Sequence, residues 1–379
     1  MAKARVASAT KTSIKTLVYG EFGSRKSGTV VDFAMMKRED DKPMRVLYID
    51  CETGSIEGFH IDRLEENGVD LRNVYIVYTT VYDEVAEYIK KVIDKKEFYE
   101  LDEDGNETDD LLLDSDGQPF YPDAVVIDGI TVLADNIKEA MIEVSEIRAG
   151  IRAELKNKNS KEKMVDIAVA GMEFKDWDKH KSKGKSVIRK LITSSDVHVG
   201  ITARSKPEKE MKRDNQGNMV AVTTGKDKLE QWDFIAFEVN TVLHNKVDDD
   251  GNCFGIVENK DRTGMFKQGE VIENPSVALW QPIIEKNKSR LKSVATTLDS
   301  YDDSIEKEVN NQIKVETAPK SKQDADGLKL IIQSALAELK PADKKIMAKK
   351  VTDKGYSTKF SEIEDIQQLK GILKIIQGE

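Results

Sequence analysis

Five short apolar runs punctuate the first part of the chain: "TLVYG" from Thr16, "RVLYID" from Arg45, "NVYIVY" from Asn73, "AVVID" from Ala124 and "HVGIT" from His198. None alternates apolar with polar residues as a strand with one wet face would. Each reads as a strand covered on both sides, the habit of a parallel sheet between helices. Between the runs, "TVYDEVAEYIKKVID" carries Val85, Ile89, Val92 and Ile93 at helical spacing, and "KSVIRKLITSS" carries Val187, Ile188, Leu191 and Ile192. The predicted class is α/β with a mostly parallel central sheet. The acidic stretch "YELDEDGNETDDLLLDSDGQPFYP" interrupts the alternation; its Asp104-Gly105 and Asp116-Gly117 turn signals predict a solvent-exposed hairpin before the fourth run. Ser145 to Lys163, rich in Arg and Lys, reads as a helix with a solvated face.

After Gln281 the pattern changes. The stretch "SYDDSIEKEVNNQIKVETAPKSKQDADG" has few large apolar residues and dense charge, which predicts a flexible linker. Periodicity returns with Leu328, Ile331, Ile332, Ala335, Leu336 and Leu339 on one stripe, and Ile363, Ile366, Leu369, Leu373 and Ile376 on another. The predicted organisation is a core over 1–286, a linker over 287–327 and a small C-terminal helical module over 328–379.

Composition narrows the function classes. The 379 residues are 39 % hydrophobic and 34 % charged, with no apolar run near the roughly 20 residues of a membrane span and no signal pattern after "MAKARVASATK". Cys51 and Cys253 are the only cysteines, too few for a disulfide framework or a zinc site. The expectation is a cytoplasmic protein without a membrane partner. A net charge of −10 excludes a broadly basic surface, so any contact with nucleic acid has to come from local loops or a concave face of an assembly.

The candidate chemistry begins at "LVYGEFGSRKSGTVVDF", a strand entering a glycine turn and leaving as a helix. Gly20, Lys26 and Ser27 meet the G-x-x-x-x-G-K-[ST] spacing, while Arg25 stands where glycine is expected. Such a loop, here Gly20, Glu21, Phe22, Gly23, Ser24, Arg25, Lys26, Ser27 and Gly28, holds phosphates on backbone N–H groups. Its lysine faces the outer phosphates and its hydroxyl faces magnesium. Arg25 keeps its N–H; if the turn needs positive φ there, the cost is about 1–2 kcal/mol. A kinase glycine loop is set aside because no HRD or DFG follows.

Two strands supply carboxylates. "AVVID" ends in Asp128, placed to serve the metal, and "RVLYIDCETGS" delivers Asp50 and Glu52 at the edge where open α/β sheets bind ligands. Either carboxylate of that pair could polarise water or cap a turn, and for Asp50 the cap is the reading. The stretch "ARSKPEKEMKRDNQGNMVAVTTGK" offers Arg204, Lys206, Lys209, Lys212 and Arg213 before a turn at Asn215 to Gly217. It reads as a loop of mobile cations suited to phosphate contacts, without an aromatic residue for base stacking.

The order of phosphate loop, "YIDCE", "VVID", "ITARSK" and "VENKDRTGMFKQGEV" resembles the RecA-type recombinases, and more closely the shorter RecA-like ATPases of bacteriophages, over about residues 14 to 285. The resemblance implies a RecA-like P-loop NTPase that binds ATP and Mg2+, with Glu52 as catalytic base and Ser27 and Asp128 at the metal. It implies a γ-phosphate sensor where the fourth strand of that family ends, here Thr202 in place of glutamine, and a DNA loop opened by Arg204 and Lys206. Of two lysines that the family presents to a neighbouring subunit's nucleotide, the second is Lys260, and Glu258 replaces the first. The expected activity is an ATPase working on single-stranded DNA in phage recombination or replication, in the host cytoplasm. The expected partners are single-stranded DNA, further copies in a ring or filament, and a replication or recombination protein met by the C-terminal helices. The alternative is a nucleotide-gated scaffold or loader with little hydrolysis.

Overall fold

The structure is a computed structural model. It describes residues 11–290 except 53, 104, 157, 195 and 214–217, and beyond them scattered residues from 325 to 336 and most of 341–377. The strands are β1 (Lys15–Gly20), β2 (Val46–Asp50), β3 (Val74–Tyr78), β4 (Tyr99–Leu101), β5 (Glu107–Leu111), β6 (Ala124–Asp128), β7 (His198–Arg213), β8 (Met219–Leu229), β9 (Thr241–Val247), β10 (Cys253–Asp261) and β11 (Val271–Glu273). The main sheet runs β11-β10-β9-β1-β7-β6-β2-β3, with β10 antiparallel to both neighbours and the other contacts parallel.

The continuous apolar runs are explained by two dry faces. Leu17, Leu47, Ile49, Val125, Ile127, Val199 and Ile201 share one core with Val85, Ile89, Leu133, Ile188 and Leu191. These last come from α3 (Tyr82–Ile93), α4 (Ile130–Leu155) and α6 (Phe174–Ser194). Val18, Val46, Tyr48, Ala124 and Val126 point the other way, onto Val30, Val31, Phe33, Leu64 and Trp280. Val30 and Val31 close α1 (Lys26–Val31), and Leu64 lies on α2 (Phe59–Glu66). Trp280 is fully buried and donates its indole N–H to Thr263 Oγ1 at 3.0 Å.

Several expectations change on contact with the structure. The acidic stretch does form a hairpin, β4 with β5. The helix expected over Ser145 to Lys163 is two helices, because Asn159 and Glu162 make a reciprocal capping box that starts α5 (Ser160–Ala168). The cationic loop is not a loop: β7 runs for 16 residues, and beyond Arg204, where it leaves the sheet, it pairs antiparallel with β8, from Ser205 opposite Leu229 to Arg213 opposite Met219. Lys206, Lys209, Lys212 and Arg213 therefore sit on a two-stranded arm, and Thr202 is not a strand end. The return segment "MVAVTT" is rich in β-branched residues, and that propensity outweighs the charge that read as a loop. The turn expected at Asn215 to Gly217 lies outside the described residues.

Contacts divide the chain into Met1–Leu298 and Asp299–Glu379. The helix Gln281–Lys288 belongs to the first unit and buries Ile283 and Ile284 in its second core. In the second unit the helices Pro341–Asp353 and Ile366–Gln377 carry a core that includes Ile332, Val351, Ile363, Leu369 and Ile372, drawing on both predicted stripes. Ile331, Ala335 and Leu339 lie outside the described residues.

Candidate functional site

Register brings the predicted groups to one edge. Gly20 pairs with Arg204 on one side of β1 and with Asn245 on the other, and Asp50 pairs with Asp128. Gly20 has no room for a side chain: a Cβ there would sit 2.3 Å from Asn245 O and 2.6 Å from Ser24 Oγ. The loop then turns through Gly23 at φ 77° and Arg25 at φ 55°, so the glycine expected at position 25 is replaced by a residue held in the left-handed region at about 1–2 kcal/mol. Arg25 NH1 donates to Asn274 Oδ1 at 3.3 Å.

The loop is held from beneath. Ser24 donates to Glu21 O at 2.7 Å, and its carbonyl accepts from Asn245 Nδ2 at 3.1 Å and Cys253 Sγ at 3.2 Å. Asn245 also reaches Thr29 Oγ1 at 2.9 Å. Neither Asn245 nor Cys253 carries a sequence signal for this role; no local spacing ties them to a loop more than 200 residues earlier. Glu21 and Phe22 are exposed at the tip, Gly28 is buried beside His60, and Ser27 is half-buried. Lys26 Nζ donates to Glu21 O at 2.8 Å. Burial lowers its pKa, while the charges of Glu52 and Asp128 push the other way.

Asp128 is buried, and three hydroxyls converge on its carboxylate. Thr202 donates to Oδ1, and Tyr48 and Ser55 donate to Oδ2. Thr202 Oγ1 also accepts from Gly129 N at 2.7 Å, so the residue at the sensor position braces Asp128 and the turn behind it. Asp50 caps its turn as predicted, accepting from the backbone N–H groups of Glu52, Gly54 and Ser55 at 2.8–2.9 Å. That cap sets Ser55 in reach of Asp128. Glu52 crosses Gly129 so closely that a Cβ on the glycine would lie 2.3 Å from Glu52 Cγ. Its Oε1 then accepts from Arg204 Nε and NH2, both at 3.0 Å.

Around this edge stand the strand that carries the phosphate loop, flanked by β7 and β9, the Asp128 strand beyond β7, and the Glu52 strand beyond that. The order β3-β2-β6-β7-β1-β9-β10-β11, with β10 reversed, completes the arrangement. The fold is α/β with a mostly parallel sheet covered on both faces, the class expected for a RecA-like P-loop NTPase. No protein-family model and no curated protein sequence matches the chain. Among solved structures, a KaiC-like protein from the hyperthermophilic archaeon Pyrococcus horikoshii aligns over 69 % of this chain and 89 % of its own, at 12 % identity and a TM-score of 0.34.

Within the first unit, Glu258 turns inward. It accepts from Tyr19 OH and meets His244 Nδ1 at 3.1 Å, with the Tyr19 and His244 rings stacked at 4.4 Å. Burial opposes its ionisation, but these hydrogen bonds outweigh it and hold the carboxyl below its usual range. Lys260 follows on β10, and its side chain lies outside the described residues. Arg204 is half exposed where β7 leaves the sheet, and Lys209, Lys212 and Arg213 are exposed on the arm, where Lys212 pairs with Glu210.

Two residues at this edge carry oxygen donors of the kind that could serve a magnesium ion. Mg2+ takes one or two protein oxygens and completes its shell with water and substrate phosphate, and the Asp128 carboxylate and Ser27 hydroxyl are donors of that kind. Among the described residues, no cluster of three or more His, Cys, Asp or Glu could form an all-protein cage. None of the described helices is long and apolar enough to cross a membrane.

Proposed function

We propose that this chain is a magnesium-dependent ATPase that acts on single-stranded DNA, in phage recombination or replication, with nucleotide bound between adjoining copies. The observation that carries the reading is the convergence of Lys26, Ser27, Asp128 and Glu52 at one sheet edge, next to the root of a cationic arm. Backbone N–H groups of the loop take the phosphates, Lys26 moves from Glu21 O to the outer phosphate oxygens, and Ser27 and Asp128 hold Mg2+. The ion, when bound, neutralises charge on the phosphates. Glu52 orients and deprotonates the attacking water. Lys206, Lys209, Lys212 and Arg213 on the arm meet the DNA backbone, and Lys260 serves a neighbouring copy's nucleotide.

The alternative, a nucleotide-gated scaffold with little hydrolysis that recruits a replication protein through its C-terminal helices, is favoured by two features: Arg25 in the left-handed region and the ion pair that occupies Glu52. One experiment separates them. ATP turnover is measured with and without single-stranded DNA, with Lys26→Ala as control. DNA-stimulated turnover lost in the control supports the enzyme; nucleotide binding without turnover under either condition supports the scaffold.

A further inference from the structure

We infer that Arg204 is a positioning residue that restrains Glu52, and that a nucleic-acid phosphate at the root of the arm releases it by competing for the same guanidinium. The inference rests on the ATPase reading above and assigns the route by which DNA reaches the chemistry.

The main chain of Arg204 is pinned on both sides. Its N–H donates to Thr131 Oγ1 at 3.0 Å, and its carbonyl accepts from Glu230 N at 2.9 Å where the arm returns. The preceding residue, Ala203, is buried, whereas the Arg204 side chain is 51 % exposed. A fixed backbone with a half-solvated guanidinium gives the charge a small arc, and within that arc lies Glu52. Both contacts fall on one oxygen, Oε1, at 3.0 Å. A general base needs a lone pair within hydrogen-bond reach of its water; this ion pair occupies Oε1 and, by holding it, fixes the direction in which Oε2 can point. Glu52 cannot retreat behind the sheet edge, because its Cγ already lies against Gly129. Its carboxylate either stays on Arg204 or swings toward the nucleotide.

A phosphodiester is an effective competitor for this partner. Guanidinium binds phosphate in the same forked geometry that it uses for carboxylate, and its charge is always present. The neighbouring arm cations bring the DNA backbone to the solvent-facing side of Arg204. Transfer of the guanidinium from Glu52 to phosphate frees Oε1, so DNA binding and hydrolysis share one contact. Linkage requires the converse: removing the Glu52 charge must strengthen DNA binding through Arg204.

The test is a double-mutant cycle on oligo-dT affinity at low salt, using Glu52→Gln and Arg204→Ala in the full chain. Glu52→Gln is expected to tighten binding about two- to fivefold, the coupling of a partly exposed ion pair, and to have no effect when Arg204 is already Ala. A gain of equal size in both backgrounds would be a field effect and overturns the inference. So does an unchanged affinity in Glu52→Gln while the wild-type chain binds DNA; the ATPase reading then survives alone. A second measurement uses turnover: Arg204→Ala is expected to hydrolyse ATP without DNA at a rate approaching the DNA-stimulated wild type. A DNA-free rate at or below the unstimulated wild type, with MgATP affinity retained, shows that Arg204 supports Glu52 and overturns the restraint. Absence of any oligo-dT binding by the wild-type chain would overturn the single-strand reading and this inference together.

Discussion

Thr202→Val removes one hydroxyl and keeps the shape of the side chain, so its effect isolates the bridge between Asp128 and Gly129. Thr202 is 1 % exposed, and its oxygen both donates to the buried Asp128 carboxylate and accepts from Gly129 N at 2.7 Å. Losing a hydrogen bond to a charged acceptor costs about 1.5–3 kcal/mol, and leaving a buried N–H unpaired costs about 1–3 kcal/mol. Tyr48 and Ser55 still serve the other carboxylate oxygen, which favours the lower half of that range. The expected destabilisation is about 3 kcal/mol. For a unit of this size, each kcal/mol moves the midpoint by about 2–4 °C, so calorimetry should find the first unit melting roughly 6–12 °C lower. Thr202→Ser keeps the hydroxyl and should stay within about 1.5 kcal/mol of wild type, the cost of a lost methyl. A Val variant as stable as the Ser variant would refute the bridge and return Thr202 to a ligand-facing role.

Three further outcomes follow from the same geometry. Glu52→Gln should preserve MgATP binding by calorimetry and reduce turnover by about 10²–10⁴-fold, the usual contribution of a general base; an unchanged rate would move that role elsewhere. Replacing Lys209, Lys212 and Arg213 together with Ala should weaken single-strand binding and reduce the slope of log affinity against log salt by up to about 2 units, at about 0.7 per phosphate contact. The arm variant should leave the melting of the first unit nearly unchanged, because these side chains are exposed. Burial lowers the pKa of Lys15 from 10.5 to about 7, so between those values the unfolded chain binds more protons and stability should rise with pH. Lys15→Met should flatten that rise in denaturant titrations, and an undiminished slope would show that other groups produce it.

The strand–glycine turn–helix from Gly20, the Asp50 cap and the α/β class were legible because each depends on neighbours along the chain. Gly20 to Ser27 is one turn whose backbone geometry follows from local spacing, and Asp50 reaches N–H groups only two to five residues ahead. The dry strands likewise show their burial in composition. What only the tertiary structure decided is which distant residues complete these pieces. Tyr48, Ser55 and Thr202 meet on Asp128, Asn245 and Cys253 hold the loop from below, and Arg204 lies on Glu52 across 152 positions of sequence. Those contacts depend on strand order and register, which place β6 between β2 and β7 and Gly20 opposite both Arg204 and Asn245. A single hydroxyl or guanidinium leaves no periodic trace of such a partner. The arm shows the same limit from the other side: its charges pointed to solvent correctly, but ladder pairing with a β-branched return strand made it extended.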